Sequence, residues 1–156
     1  MNAARRSYAE ELKYVAHIRS DAIVRAFAKV PREKFLGPGP WRIAGGWGDW
    51  TTEDDDPKHI YHNILVSVDP ARALNNGQPS LLAFLIDALD LKAGEHVANI
   101  GCGTGYYSAI LAEVVGKKGR VTAVEVDQKL AARARRSLSQ WRHVSVLAMD
   151  GSRCQA

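Results

Sequence analysis

Three glycines spaced two residues apart, Gly101, Gly103 and Gly105, interrupt an apolar run of this 156-residue chain. Glycine lets a backbone turn sharply from a strand into a helix with its N–H groups open to a ligand, because a Cβ atom would block both the turn and the approach. About 20 positions further on, Glu125 ends a second apolar run, at the spacing from which a carboxylate reaches the hydroxyls of a ribose. The pattern predicts a loop that binds a phosphate or a nucleoside, with Glu125 as its ribose ligand.

The elements that must position these residues are alternating strands and helices. Apolar patterns predict strands over 97–100, 120–126 and 144–149, and helices over 108–115 and 129–141. In a parallel sheet the carboxyl ends of the strands meet at one edge, where ligands bind. The order of elements therefore predicts an α/β fold whose sheet edge carries the glycine loop, here defined as residues 101–105.

The first part of the chain has a different character. Apolar residues recur with helical spacing over 7–29, with an interruption near Ser20 and Asp21, either of which could cap the second helix. Gly, Pro, Trp and Asp dominate residues 37–70 without a sustained period, which predicts a long loop with a hairpin arm or short strand near 60–68. A helical N-terminal region is the expectation.

Two features of the long loop have simple interpretations. The acidic run 53–56 lacks the spacing of a calcium loop, so we interpret it as a solvated loop tip and expect no metal site. Trp41, Trp47 and Trp50 predict an apolar cluster, with a lid over a site as the alternative.

Composition limits the function classes. The net charge is +4 and the densest basic cluster lies on one predicted helix, which indicates a solvated helix face and no nucleic-acid partner. Two cysteines give neither a disulfide framework nor metal-ligand spacing, which favours the cytoplasm. No signal peptide or membrane span is expected. The chain divides into an expected N-terminal region, 1–74, and a binding half-domain, 75–156.

The three-glycine spacing departs from the Gly-x-Gly-x-x-Gly of dinucleotide folds and resembles the first motif of class I S-adenosylmethionine-dependent methyltransferases. Residues 26–36, which include Val30-Pro31-Arg32, resemble the N-terminal signature of protein-L-isoaspartate O-methyltransferases. The resemblance covers about residues 19–151. It implies a Rossmann-like fold, of which this chain holds the first half of a doubly wound parallel sheet after a helical region and long loop. It further implies S-adenosyl-L-methionine as cofactor and a protein or peptide substrate with an isoaspartyl carboxylate.

The resemblance also assigns cofactor-binding residues. At the end of the third strand, Asp150-Gly151 resembles the motif in which an acidic side chain receives the adenine amino group, although an ordinary turn is the alternative. The full cofactor set is Gly101, Cys102, Gly103, Gly105, Tyr106, Glu125, Val126, Asp150 and Gly151.

A predicted helix over 79–89 follows the expected substrate segment. Where the family carries Gly-Gln-Thr-Ile-Ser, this chain runs from Gly77 directly to Gln78, Pro79 and Ser80, which we expect to bind substrate. Ser80 is the candidate catalytic residue if it stands in for the family serine; otherwise it caps the helix. The altered segment leaves the acceptor carboxylate open.

Two departures favour a second hypothesis, a catalytically inactive nucleoside-binding or protein-interaction module. Asn99 is neutral where the family has an acid, which predicts weaker cofactor binding. The sequence also ends at Ala156, before the family's fourth strand, as in a C-terminally truncated member. The first strand would then be an exposed edge, so we expect a homo-oligomer or a partner that supplies the missing half-sheet. A nicotinamide-dependent oxidoreductase is disfavoured by the glycine spacing.

Overall fold

A computed structural model describes residues 2–46 and 48–154, and Trp47 of the expected tryptophan cluster lies outside the described residues. The chain forms two compact packing units, 1–88 and 89–156. The functional boundary expected after residue 74 stays a prediction.

The described residues of the first unit form three α-helices: α1 (Asn2–Val15), α2 (Asp21–Lys29) and α3 (Pro79–Ala88). The break expected near Ser20 is present, and Ser20 occupies the N-cap position of α2 without a side-chain capping bond. The carboxylate of Asp87 on α3 instead accepts the Ser20 N–H at 2.9 Å and the Arg19 N–H at 3.2 Å. These bonds tie α3 to the start of α2.

A small antiparallel sheet lies largely within the region predicted as a long loop. The short strand predicted near 60–68 is present as Leu65–Asp69, but the strands at Arg42–Ala44 and Trp50–Thr51 were not predicted, and there the loop prediction was wrong. Its strands, in the order β2-β1-β3-β4, are β1 (Arg42–Ala44), β2 (Trp50–Thr51), β3 (Leu65–Asp69) and β4 (Leu74–Asn75). Strands of 2 to 5 residues are too short to show a period. What holds them is a buried apolar cluster made by Leu36, Trp41, Ile43, Ile60 and Val66.

The second unit is the expected parallel sheet with its crossover helices. Its strands β5 (His96–Ile100), β6 (Arg120–Glu125) and β7 (Val144–Ala148) lie in the order β5-β6-β7 and pair in parallel. The helices α4 (Tyr106–Val115) and α5 (Gln128–Ser137) connect them. Ile100, Val124 and Leu147 are aligned across the sheet, so the three carboxyl ends lie at one edge.

Helix α5 ends earlier than its apolar pattern predicted. Leu138 and Trp141 continue the pattern and are buried, but they lie in a turn, where the indole N–H of Trp141 donates to Glu113 Oε1 at 2.8 Å. At the other end of α5, the side chain of Asp127 caps the N–H groups of Lys129 and Leu130. Within the described residues, no helix combines the length and apolarity needed to cross a bilayer.

Candidate functional site

The glycine loop joins β5 to α4 through three positive φ angles, 73° at Gly101, 56° at Gly103 and 96° at Gly105. A Cβ atom built on Gly101 or Gly103 meets no atom within 4 Å, whereas one on Gly105 would lie 2.8 Å from Leu138 Cδ1. The first two glycines therefore face open space in which a ligand can approach the backbone. The third is required by packing as well as by its backbone conformation.

The N–H groups of the glycine loop were expected to be open to a ligand, and this expectation was largely wrong. Four of them donate within the protein: Gly101 and Cys102 to Val124 O at 2.8 and 2.9 Å, Gly103 to Glu125 Oε2 at 2.8 Å, and Gly105 to Cys102 O at 2.9 Å. The end of β6 lies close enough to the loop to use them. A phosphate binds through free N–H groups, so the geometry favours a nucleoside over a phosphate.

Glu125 is the charged centre of this edge. Its carboxylate is buried, with 7% of the residue exposed, and accepts the Gly103 N–H through Oε2 and the Asp127 N–H through Oε1, the latter at 3.0 Å. Each carboxylate oxygen has a second lone pair, so both can still accept a hydroxyl.

Cys102 and Tyr106 are both buried around the loop. Burial raises the pKa of the Cys102 thiol to about 12, and the nearby Glu125 charge adds to the shift. The thiol therefore stays neutral and is a poor nucleophile. Tyr106, the first residue of α4, is 2% exposed and its ring packs edge-on against Tyr107. Cofactor contacts by these two residues stay predictions.

Val126, Asp150 and Gly151 follow the second and third strands. Val126 is 68% exposed. Asp150 is exposed and its carboxylate accepts the Ser152 N–H at 2.9 Å, a backbone hydrogen bond that lowers the pKa of Asp150. A Cβ atom on Gly151 would collide with Ile100 Cγ2, so this glycine lets the turn after β7 pack on the last residue of β5. The Asp150-Gly151 turn and the end of β5, which leads into the glycine loop, thus meet at the sheet edge.

Asn99, the neutral substitution on β5, points towards α4. Its amide Nδ2 donates to Ser108 Oγ at 2.9 Å, and Ser108 is fully buried. The side chain therefore ties the strand before the loop to the helix after it. Its effect on cofactor affinity stays a prediction.

The expected substrate segment lies at the start of α3 in the first unit. Gln78 O accepts the first helical bond, from Leu82 N at 3.1 Å, and Pro79 is the first helical residue. Ser80 does not cap this helix, because its own N–H lies inside the first turn and donates to Asn63 Oδ1 at 3.0 Å. The capping alternative is therefore wrong, and the side chain of Asn63 accepts this N–H from outside the helix. The catalytic role of Ser80 stays a prediction.

Sequence reasoning missed the burial of Arg32. This residue is fully buried, and its guanidinium donates to three backbone carbonyls and to an asparagine. Nη1 donates to Ile60 O at 2.5 Å and His62 O at 3.0 Å, and Nη2 donates to Ile64 O at 2.7 Å and Asn76 Oδ1 at 3.3 Å. It also lies 5.6 Å from the centroid of the Tyr8 ring. The signals in the sequence were its place in the Val30-Pro31-Arg32 signature and the apolar residues Val30 and Phe35 on either side.

Comparisons with known proteins agree with one family. The family model described as protein-L-isoaspartate(D-aspartate) O-methyltransferase (PCMT) matches residues 4–155. The chain is 35% identical over 123 residues to the protein-L-isoaspartate O-methyltransferase of Thermotoga maritima, which covers 78% of this chain and 34% of that protein. The protein-L-isoaspartate O-methyltransferase of Methanothrix thermoacetophila is 34% identical to this chain over 135 residues. The matched residues cover 85% of this chain and 56% of that protein. Across these curated relatives the chain spans about a third to two thirds of their length.

Solved structures show the same likeness. A protein-L-isoaspartate O-methyltransferase superimposes with a TM-score of 0.71 at 30% identity, over 92% of this chain and 42% of the other. A Plasmodium falciparum protein described as a β-aspartate methyltransferase in complex with S-adenosyl-L-homocysteine also gives 0.71, at 16% identity, over 97% and 65% of the two chains; this second match supports the fold alone. Because the family model matches residues 4–155 of this chain, the chain belongs to the protein-L-isoaspartate O-methyltransferase family and has the Rossmann-like class I methyltransferase fold of that family.

Proposed function

We propose that this chain binds S-adenosyl-L-methionine at the glycine loop and takes part in methyl transfer to a carboxylate of a protein or peptide. The observation that carries the proposal is the contact between Gly103 N and the buried Glu125 carboxylate, beside two glycines that face open space. Hydroxyl groups and a positively charged ligand suit this carboxylate, whereas a pyrophosphate would need the loop N–H groups that already donate within the protein. The residues present therefore fit the cofactor that the family resemblance implies.

The proposed contacts follow the sheet edge. Glu125 accepts the two ribose hydroxyls, exposed Val126 packs against the adenine, and Asp150 receives the adenine amino group. The open backbone at Gly101 and Gly103 faces the rest of the nucleoside. Packing around Cys102, Gly105, Tyr106 and Gly151 gives the loop its shape. When bound, S-adenosyl-L-methionine supplies an electrophilic methyl group on a sulfonium.

On the acceptor side, the chain's task is positioning. A carboxylate is ionised at neutral pH, so transfer to it demands no strong general base, and we assign none. Most of the rate then comes from holding the acceptor oxygen in line with the methyl group. We propose Gln78, Pro79 and Ser80 as the acceptor segment, with Ser80 as the candidate to contact the reacting carboxylate. An isoaspartyl carboxylate is the first candidate acceptor, used with reduced selectivity because the family's Thr-Ile pair is missing.

A binding module without turnover is the second candidate. The neutral Asn99 favours it, because its amide is engaged by Ser108 and it brings no negative charge to the strand before the loop.

One experiment separates the two functions. Calorimetric titration with S-adenosyl-L-homocysteine is run alongside a radiolabelled methyl-transfer assay on an isoaspartyl peptide and its aspartyl control. Binding with transfer supports the methyltransferase, and binding without transfer supports the module. Absence of S-adenosyl-L-homocysteine binding would contradict both.

We also propose that the open edge of β5 is covered by a second copy or by a partner strand. Among the described residues β5 pairs only with β6, and Ile100 at its end is 55% exposed. An unpaired edge with exposed apolar side chains favours association. Light scattering across a dilution series tests this, and a monomer that persists at low micromolar concentration contradicts it.

A cytoplasmic location stays a prediction.

A further inference from the structure

The acceptor segment at the start of α3 is held by a side chain from a distant loop. Asn63 Oδ1 accepts the Ser80 N–H at 3.0 Å and the Gln78 Nε2 amide at 2.7 Å, and Asn63 O accepts Gln78 Nε2 at 2.9 Å. A backbone N–H can only donate, so the atom facing Ser80 must be the oxygen of the Asn63 amide. The orientation of both amides is thereby fixed.

Asn63 is itself held from behind. The carbonyls of its two neighbours, His62 and Ile64, accept hydrogen bonds from the fully buried Arg32, at 3.0 and 2.7 Å. The Asn63 N–H also lies 3.3 Å from Glu11 Oε1 on α1. A loop fixed on both sides of one residue gives that side chain little freedom, so its bonds impose a definite place on the segment it contacts.

We propose that Asn63 is a positioning residue for the methyl acceptor: it sets the conformation of Gln78, Pro79 and Ser80, and Arg32 holds it in place. The inference rests on the proposed function of this segment in acceptor binding. It assigns a role in recognition to a loop that none of the motifs includes, and it allows acceptor binding to be tested apart from cofactor binding.

Two substitutions distinguish positioning from simple folding. Asn63→Ala removes the acceptor for Ser80 N and Gln78 Nε2, whereas Asn63→Asp retains an oxygen where Oδ1 lies. Asn75→Ala is the matched control, because Asn75 Oδ1 accepts the neighbouring Gly77 N–H at 2.9 Å and makes no bond to Ser80.

The experiment uses the full chain and two measurements. Amide hydrogen exchange at Ser80 should accelerate at least about fivefold in Asn63→Ala, the effect of one net hydrogen bond on local opening. The dissociation constant of an isoaspartyl peptide, measured with S-adenosyl-L-homocysteine present, should rise by at least about the same factor, while that of S-adenosyl-L-homocysteine changes less than about twofold. Asn63→Asp should restore both measurements, and Asn75→Ala should resemble the unsubstituted chain.

Each outcome has a distinct meaning. Faster Ser80 exchange with unchanged peptide affinity, or a loss of cofactor and peptide affinity together without rescue by Asn63→Asp, would overturn the positioning role while the proposed function stands. If the unsubstituted chain binds S-adenosyl-L-homocysteine but no peptide, the acceptor role of the segment fails and this inference fails with it.

Discussion

Replacing Glu125 with glutamine is the most informative single change to the cofactor side, because it keeps the shape of the side chain and removes its charge. In the structure the carboxylate accepts two backbone N–H groups, from Gly103 at 2.8 Å and from Asp127 at 3.0 Å. A glutamine offers one oxygen and one NH2 group, so one of these N–H groups would face another donor.

The expected magnitudes follow from this count. A hydrogen bond to a charged group contributes about 1.5–3 kcal/mol, and an unsatisfied buried donor costs about 1–3 kcal/mol. Loss of one bond and weakening of the other should therefore lower the free energy of unfolding by about 2–4 kcal/mol, within the stability of an ordinary domain. Loss of a charged acceptor for the ribose should weaken S-adenosyl-L-homocysteine binding by about 1–3 kcal/mol, roughly 5- to 150-fold.

Calorimetric titration measures the affinity and urea unfolding measures the stability. Glu113→Gln is the matched control, since Glu113 accepts the Trp141 indole N–H at 2.8 Å in the same unit. It should lower stability and leave the affinity unchanged. A Glu125→Gln variant that binds S-adenosyl-L-homocysteine within about twofold of the unsubstituted chain would refute the assignment of Glu125 as a cofactor ligand.

Three further predictions test separate parts of the structure. Gly103→Ala should lower the free energy of unfolding by about 1–2 kcal/mol because of its positive φ, and it should abolish measurable cofactor binding. Gly105→Ala should lower the free energy of unfolding more, because a Cβ atom has no room there. Urea unfolding and calorimetric titration check both. At pH 8 iodoacetamide should label Cys102 on the order of 10³ times more slowly than a free cysteine, because burial raises the pKa of its thiol to about 12. Mass spectrometry should therefore detect the label first on half-buried Cys154, and equal labelling rates would contradict this. Arg32→Met should lower the unfolding free energy by about 3 kcal/mol or more through unsatisfied carbonyls, and an unchanged urea midpoint would contradict that.

The parallel-sheet half of the chain was predictable because its elements are long enough to show a period. The strand expected over 120–126 is β6, Arg120–Glu125, and the helix expected over 108–115 is α4, Tyr106–Val115. The glycine loop and the acidic residue at the end of β6 lie together as their spacing predicted. Local pattern and tertiary structure agree here. The comparisons with known proteins confirmed the family and the fold class.

The remaining features depend on contacts between residues far apart in the chain. Nothing in the local sequence shows that Val124 O and Glu125 would use the N–H groups of the glycine loop, or that Asn63 would accept the N–H of Ser80, 17 residues later. The strands of the N-terminal sheet exist because an apolar cluster and buried Arg32 hold them, and such short segments carry no period of their own. The predicted helix over 129–141 is longer than α5, because the buried residues Leu138 and Trp141 continue the apolar spacing beyond the end of the helix.

The most direct test of the central claim is a calorimetric titration of the chain with S-adenosyl-L-homocysteine and, separately, with NAD. A nucleoside site formed by open glycines beside a buried carboxylate should bind S-adenosyl-L-homocysteine at one site per chain. It should not bind the pyrophosphate of NAD, because the N–H groups of the glycine loop already donate within the protein. Binding of NAD without binding of S-adenosyl-L-homocysteine would contradict the proposed site.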